Sequence, residues 1–397
     1  MSSPQLTSLP LSTSPSLALR HPTTEECTQI SMSTSTTWAD ALPSALYLKE
    51  QSHLATAPLA KDGGMTTWVL VDTKLSPDKR QILSSCETYR KRALISASDG
   101  EVQERIVHGV ASVYCSEKLR GRGYAGRLLK ELSKELRTWQ THNLPCAGSI
   151  LYSDIGRRYY AKLGWHPNAT NFHFELKPIH MSWPVTAVPI HTGTMDDLCQ
   201  SDEGILRKSM AATSLDRPLC MTIIPDVEHM LWHHAKEEYA CDFLFGKIPT
   251  AKGAIAGPPK NRVWAIWTHR YYKNPSIEKA NNVLYILRLV IEADPTATRL
   301  PSNAHLRPSP ELYGSTLESF NAVLQAAQAE AAEWKLDGVQ IWDPTPFAKE
   351  MLVESGLEHV EVERAEEYIA SLLWYDNEGG IEGTSPLWVN CEHYAWM

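Results

Sequence analysis

The stretch from residue 104 to residue 139 is predicted to form a strand, a glycine-rich turn and an amphipathic helix in direct succession. The strand covers 104–115, ERIVHGVASVYC, in which valine and isoleucine recur. The turn contains Gly121, Gly123 and Gly126, and leucines at helical spacing follow it. A strand that leads through glycines into a helix is typical of α/β folds and can hold an anion at the start of the helix.

The G-x-G-x-x-G spacing is compatible with several phosphate-binding loops. A dinucleotide fingerprint has its first glycine at the tip of a strand and an acidic residue about 20 residues further on. Here SEKLR separates the strand from the glycines, and the next strand reaches no acidic residue before Asp154. A kinase-type loop would be followed by HRD and DFG, which the sequence lacks. A glycine-rich turn that binds no ligand remains the alternative.

The same segment also reads R-x-x-G-x-A at Arg120, Gly123 and Ala125. Small residues there let several backbone N–H groups face a pyrophosphate, and the helix N-terminus adds partial positive charge. This segment, with the strand GVASVYC before it, resembles motif A of the GNAT acetyltransferases. Further along, YYAKLGW (159–165) is similar to the segment of that family that carries a tyrosine near the sulfur of coenzyme A.

The resemblance implies a GNAT fold with a mixed central sheet, an α/β (α+β) architecture, and acetyl-CoA as co-substrate. It assigns the pantetheine arm to the strand backbone at Ala111, Ser112 and Val113, and implies that the N–H near Val113 stabilises the oxyanion. The pyrophosphate would bind the loop residues Arg120, Gly121, Arg122, Gly123, Tyr124, Ala125 and Gly126. Ser153 stands where the family often has an asparagine that contacts coenzyme A, so that contact is expected to be weaker.

Three residues are candidates for catalysis. By position Tyr160 would protonate or hydrogen-bond the departing thiolate, and its alternative is a core aromatic side chain. His108, on the strand before the loop, titrates in a useful range for a base, although it also suits an ordinary strand histidine. Glu104 is further from the loop and expected to be solvated. The carboxylate of Met397 ends the apolar run YAWM, so it must reach either water or a polar cavity such as an active site.

The chain divides into three predicted regions. Residues 1–15 are rich in Ser, Thr and Pro and predict a disordered tail. Residues 16–182 form the GNAT domain, with an antiparallel meander (66–73, 79–96, 104–115) before the loop. Residues 183–397 predict a second α/β domain on the substrate side, with a final strand over 386–397. Its GVQIWDPTPFAKEMLVESGLEHV parallels GSILYSDIGRRYYAKLGWHP, which indicates a diverged repeat without a phosphate loop.

Composition narrows the possible partners. The net charge of −8 argues against a general nucleic-acid partner and suits a cationic amine. Eight cysteines without a C-x-x-C predict no structural metal and a reducing compartment. No apolar run approaches the roughly 20 residues of a membrane span, and the N-terminus has no targeting pattern, so a cytoplasmic location without a membrane partner is expected. The oligomeric state stays open.

Over its full length the chain further resembles the fungal lysine N-acetyltransferases of lysine catabolism. The segments LYSDIGRRYYAKLGW and LWVNCEHYAWM carry this resemblance. It implies acetyl transfer to the side-chain amine of free L-lysine. Two alternatives remain at this stage. One is an acetyltransferase for a specialised-metabolite amine or a protein amine, and the other is a catalytically inert scaffold that binds coenzyme A.

Overall fold

The structure, a computed structural model, describes residues 9–213, 218–297, 307–375 and 385–397. Up to residue 176 its helices and strands are β1 (Leu17–Arg20), α1 (Thr24–Trp38), α2 (Ser44–Leu54), β2 (Met65–Asp72), β3 (Ser84–Ser96), β4 (Val102–Tyr114), α3 (Tyr124–Glu135), β5 (Cys146–Ser153), α4 (Arg158–Ala161), β6 (His166–Pro167) and β7 (Phe172–Leu176). The later ones are β8 (Val188–Ile190), α5 (Thr192–Met210), β9 (Cys220–Ile223), α6 (Val227–Phe245), β10 (Gly253–Ala256), β11 (Val263–Arg270), β12 (Val283–Ile291), α7 (Pro310–Glu333), β13 (Gly338–Trp342), α8 (Pro346–Glu354), β14 (His359–Glu363), β15 (Ile369–Trp374) and β16 (Leu387–Trp388).

The first sheet has nine strands and is mixed, as predicted. Its main path runs β1-β2-β3-β4-β5-β15-β6, and β9 and β16 extend it from one end of β3. The strands β2, β3 and β4 form the expected antiparallel meander, whereas β4 and β5 are parallel. Helix α3 connects β4 to β5 and buries its leucine stripe, Leu128 to Leu136, against one face of the sheet. The amphipathic pattern after the glycine loop therefore predicted both the helix and its packing face.

The second sheet repeats the arrangement of the first. Its seven strands run β14-β7-β13-β12-β11-β10-β8. Strands β11 and β12 are antiparallel, β12 and β13 are parallel, and α7 connects these last two strands. This order matches β3, β4, α3 and β5, which agrees with the predicted GNAT-like repeat. The second half was also predicted to lack a phosphate loop. In the repeat that loop would lie between β12 and α7, where residues 298–306 lie outside the described residues.

The two sheets exchange one strand each. Strand β7 leaves the first half and lies between β13 and β14, while β15 from the second half lies between β5 and β6. Residues 165–176 therefore contribute two short strands, β6 and β7, to different sheets. The chain turns between β6 and β7, where the Asn171 side chain donates to the carbonyl of Asn168. The predicted boundary near residue 182 stays a prediction, but the exchange means that neither half has a complete sheet alone.

The carboxyl end differs from the strand predicted over 386–397. Only β16 is strand, and a 3₁₀ turn follows at His393–Ala395. The segment between them enters the opening that forms beyond the last paired residues of β12 and β13, Ile286 and Ile341. There Glu392 accepts a hydrogen bond from the Leu289 N–H at 2.8 Å and pairs with Arg288. These hydrogen bonds replace strand pairing, which is why the predicted strand ends early.

The sequence analysis did not identify α2, α5 or α6. Helices α2 and α6 contact each other and pack near β3 and β4, so they complete the side of the first sheet opposite α3. Helix α1 begins with a capping box, in which Thr23 and Glu26 exchange hydrogen bonds. Among the described helices, none combines the length and the apolar character needed to cross a bilayer.

Candidate active site

Strands β4 and β5 diverge after the residue pair Gly109 and Ile150. Beyond that point β4 carries a bulge. Ala111 lies opposite Glu87 and Tyr114 lies opposite Ser85, so β4 advances by three residues where β3 advances by two. The extra residue forces Ser112 to a φ of 52°. A bulge leaves backbone N–H and C=O groups unpaired in the sheet. The predicted pantetheine strand, Ala111 to Val113, therefore has free backbone groups at an opening between two parallel strands.

The glycine loop before α3 is open at Gly121, whereas at Gly123 a Cβ atom would lie 2.8 Å from the Ser12 Oγ atom. Gly121 and Gly123 have φ values of 75° and 83°, a conformation that costs other residues energy. No side chain caps α3, so the first backbone N–H groups of the helix lack a side-chain acceptor. A Cβ atom built on Gly121 would meet no atom within 4 Å. Together these features fit a pyrophosphate, and the exposed guanidinium of Arg120 lies beside the loop.

The N-terminal segment 9–16 lies against this loop. The Tyr124 hydroxyl donates to the carbonyl of Pro10 at 2.5 Å, and Arg127 donates to the carbonyl of Ser12 at 3.1 Å. Leu9 also packs on the apolar cluster around α3. The prediction of a disordered tail is thus wrong for residues 9–15, and residues 1–8 lie outside the described residues. Ser, Thr and Pro composition indicated disorder, but contacts to distant residues order this segment.

Tyr160 and Ser153 lie at the β5 side of the opening. Tyr160, on α4, is partly buried against the cluster that contains Val113 and Cys115, and burial raises the pKa of its hydroxyl. Ser153 ends β5, but its hydroxyl donates to the Gly156 carbonyl at 2.8 Å and accepts from the Ile155 N–H. Ser153 therefore stabilises the turn before α4, and its contact with coenzyme A stays a prediction.

His108 is buried on the face of the first sheet that α3 covers. Side chains alternate along a strand, so His108 shares its face with Val110, which packs among the α3 leucines. Its Nδ1 lies 3.5 Å from the Cys146 sulfur, and burial lowers the pKa of the imidazole to about 4. A neutral ring with so low a pKa is a weak proton acceptor. Glu104, by contrast, pairs with Arg92 and Arg207 away from the bulge.

Glu87 and Met397 lie near the bulge on the opposite face of β4. Glu87 lies across from Ala111 and accepts a hydrogen bond from the Ser112 hydroxyl at 2.9 Å. Burial raises the pKa of the Glu87 carboxyl, although the Ser112 hydrogen bond and the charge of Lys236 oppose this. Met397, the chain end, packs on the cluster that includes Ala111 and Tyr89. The structure thus brings the C-terminal residue, separated by most of the sequence, next to β4.

A pocket adjoins the bulge. Glu87 and Ser112 form one wall, and side chains of α1 and α2, among them Trp38 and Tyr47, form the other. The described residues contain no group of three or more His, Cys, Asp or Glu side chains that could hold a metal ion.

Comparison with known families fits this geometry. Residues 171–397, more than half of the chain, match the family model of the LYC1 GNAT-like C-terminal domain. The chain belongs to the LYC1 GNAT-like family. The match begins one residue before β7, the strand that joins the second sheet.

Individual relatives of this LYC1 GNAT-like chain are distant. A Yarrowia lipolytica protein named lysine acetyltransferase is 22% identical over 229 residues, which cover 48% of this chain and 57% of that protein. A GCN5-related N-acetyltransferase from Anabaena variabilis has a TM-score of 0.51 at 11% identity and covers 90% of this chain and 72% of that one. Saccharomyces cerevisiae N-myristoyltransferase with bound myristoyl-CoA and inhibitors has a TM-score of 0.52 at 7% identity, covering 92% and 81%. At these identities the structures show a shared GNAT fold.

Glu87 is the site residue that the sequence analysis missed in this LYC1 GNAT-like chain. It is the fourth residue of β3, within SSCETYRK, where the residues around it give no motif. Its position depends on the cross-strand register of β3 and β4 and on the bulge at Ser112. A usable signal was the acidic side chain inside a strand that is otherwise largely buried, since a buried carboxylate requires a partner or a function.

Proposed function

We propose that the chain is an acetyl-CoA-dependent N-acetyltransferase for the amine of a small molecule. The observation that carries this proposal is the bulged end of β4, which diverges from β5 and continues into an uncapped glycine loop. That combination offers unpaired strand backbone for an extended arm and helix N–H groups for a pyrophosphate. Membership of a GNAT-like family supports the same assignment.

Each part of the co-substrate has proposed partners in the chain. The backbone of Ala111, Ser112 and Val113 would hold the pantetheine arm, and the pyrophosphate would bind the loop residues Arg120, Gly121, Arg122, Gly123, Tyr124, Ala125 and Gly126. When bound, acetyl-CoA supplies the acetyl group as an activated thioester. The N–H near Val113 would donate to the oxygen that gains charge, because a fixed donor there needs no reorganisation.

Two proton movements accompany the transfer. The amine nitrogen bonds to the acetyl carbon as the carbon–sulfur bond breaks, so one proton must leave the nitrogen and one must reach the sulfur. Tyr160 is proposed to donate to the sulfur. On the other side of the opening, Glu87 and the Met397 carboxylate are proposed to receive the amine proton. The raised pKa of Glu87 suits it to this role, since a proton acceptor works best with a pKa near the working pH.

The amine is proposed to be the side-chain amine of free L-lysine, whose acetylated product would then be degraded. The name of the Yarrowia lipolytica relative and the acidic chain support this substrate. A location in the cytosol is proposed from composition, since the eight cysteines of the sequence include no C-x-x-C.

A panel of amines tests the proposed function. The purified chain is incubated with acetyl-CoA and one amine at a time, and free thiol is measured. We expect L-lysine to give the fastest release, ahead of polyamines, peptides with a free N-terminus and histone-tail peptides. Turnover of peptides or polyamines without turnover of lysine would overturn the substrate but keep the acetyltransferase. Binding of coenzyme A by calorimetry without turnover of any amine would identify a scaffold.

Replacement of Tyr160 by phenylalanine should lower kcat while the affinity for coenzyme A stays near normal. A positioned acid contributes about 10²–10⁴-fold, and we expect a loss of about 100-fold because a thiolate is already a good leaving group. Tyr159→Phe is the matched control, because Tyr159 is its neighbour on α4 and faces the glycine loop side at Gly126. Undiminished turnover in Tyr160→Phe would remove the proposed acid role.

A further inference from the structure

The N-terminal segment 9–16 is fastened to the start of α3 by side chains that directly follow the glycine loop. The Tyr124 hydroxyl donates to the Pro10 carbonyl at 2.5 Å, and Arg127 donates to the Ser12 carbonyl at 3.1 Å. Arg127 also donates to the carbonyl of the first residue of β1 at 3.4 Å. The segment is thus held at both of its ends, so it forms a fixed wall beside the loop.

The Ser12 side chain of this segment faces the glycine loop. A Cβ atom built on Gly123 would lie 2.8 Å from the Ser12 Oγ atom and 3.3 Å from its Cβ atom. Ser12 is partly exposed, and among the residues that the structure describes no donor or acceptor pairs with its hydroxyl. A segment that served only to cap α3 would use this hydroxyl to accept from a free N–H of the helix. The hydroxyl is instead available to a ligand at the loop.

The charges of the segment and of the loop indicate that the segment does not imitate a phosphate. Residues 9–16 contain no ionisable side chain. The loop next to them carries the cations Lys118, Arg120 and Arg122, and Glu117 is its one carboxylate. A segment that blocked the loop by imitating a pyrophosphate would need carboxylates to pair with these cations. The uncharged segment leaves the positive charge of the loop to an anionic ligand.

A serine hydroxyl is suited to donate to a phosphate oxygen. Hydrogen bonds to an ionised acceptor are shorter and roughly twice as strong as those between neutral groups. Ser12 lies beside Gly123, in the part of the loop that is proposed to face the pyrophosphate of coenzyme A. The ligand group that best completes the Ser12 hydroxyl is therefore an oxygen of this pyrophosphate.

We propose that segment 9–16 forms one wall of the coenzyme A site, with the Ser12 hydroxyl donating a hydrogen bond to the pyrophosphate. The inference rests on the proposed use of acetyl-CoA and adds to it a side-chain donor from outside the glycine loop. Tyr124 and Arg127 then have two roles. Their backbone belongs to the start of α3, and their side chains hold the wall in place.

Calorimetry with coenzyme A tests the role of the Ser12 hydroxyl. We expect Ser12→Ala to raise the Kd for coenzyme A roughly 10-fold, the lower end of the effect of losing one hydrogen bond to a charged group. Ser14→Ala is the matched control, because the Ser14 hydroxyl bonds that of Ser16 at 3.0 Å and so supports the segment itself. Its Kd should stay near normal. An unchanged Kd in Ser12→Ala, or an equal rise in both variants, would overturn the assignment.

Two acyl donors that differ in their phosphates show which part of the co-substrate Ser12 contacts. S-acetylpantetheine has the thioester and the arm of acetyl-CoA but no pyrophosphate. We expect Ser12→Ala to lower kcat/KM for acetyl-CoA by the same factor as it weakens binding, and to leave kcat/KM for S-acetylpantetheine unchanged. An equal fall for both donors would mean that Ser12 acts on the shape of the site and not on a phosphate.

Deletion of residues 2–13 tests whether the segment is a wall of the site or a cover over it. A wall predicts weaker binding of coenzyme A after the deletion, whereas tighter binding would show that the segment covers the loop and would reject the proposal. Deletion of residues 2–8 is the control, since it leaves segment 9–16 in place. The titrations need no amine, so they decide the role of Ser12 even if no amine is acetylated. If the wild-type chain binds no coenzyme A, the proposed function and this site both fail.

Discussion

Glutamate in place of Gly123 should abolish measurable binding of coenzyme A while the fold survives. Gly123 begins α3 with a φ of 83°, and a Cβ there would lie 2.8 Å from the Ser12 Oγ atom. The new carboxylate would stand where the helix N–H groups are proposed to face phosphate. Losing two hydrogen bonds to a charged group, at about 1.5–3 kcal/mol each, corresponds to an affinity loss of at least about 100-fold.

Fold survival in Gly123→Glu follows from the size of the strain. A non-glycine residue in this conformation costs about 1–2 kcal/mol, which is small beside the 5–15 kcal/mol typical of a folded protein. Thermal melting should therefore remain cooperative, and calorimetry should report the loss of coenzyme A binding. Gly204→Glu on α5 is the matched control, because a side chain there meets no atom within 4 Å and the added charge is the same. Wild-type affinity in a folded Gly123→Glu protein would remove the proposed phosphate loop.

The sequence predicted the parts of the site whose signal is local. The strand, the glycines and the leucine stripe over 104–139 lie within one continuous segment, so periodicity and spacing were enough to place β4, the loop and α3. The resemblance to GNAT motif A depends on the same segment. The capping box of α1 is also a local feature, since Thr23 and Glu26 are three residues apart.

Features set by distant partners were not predictable from local patterns. Strands β7 and β15 occupy equivalent positions in two similar sheets, so their alternation of side chains suits either sheet and does not reveal the exchange. The carboxyl end reads as an apolar strand, yet Arg288 and the Leu289 N–H draw Glu392 into the opening beside β12. In both cases the sequence determined which side of the segment is apolar and which is polar. Long-range hydrogen bonds then determined the strand beside which the segment lies.

The second large expected effect is the loss of kcat when the acceptor of the amine proton is removed. Glu87→Gln should lower kcat by about 10²–10⁴-fold, because the amide keeps an oxygen for the Ser112 hydrogen bond but cannot receive a proton. Coenzyme A affinity should stay near normal, since the change lies on the amine side of β4. Appending Gly-Ser to Met397, or deleting residues 395–397, should also cut turnover strongly. Met397→Leu is the control that keeps the terminal carboxylate and changes only the side chain.

The pH dependence of kcat/KM distinguishes the two carboxylates. A base must be ionised to accept a proton, so kcat/KM should fall as the pH drops through its pKa. We call this fall the acid limb of the profile. Burial raises the pKa of Glu87, so the acid limb should lie at a higher pH than for an ordinary glutamate. If Glu87 is the acceptor, as we expect, the acid limb disappears in Glu87→Gln. It persists at lower amplitude in the tailed protein, which carries Gly-Ser after Met397. Loss of the limb only in the tailed protein would assign the role to Met397. Wild-type turnover in the tailed protein would exclude a terminal carboxylate inside the site, because two further residues could not then be accommodated beside Ala111.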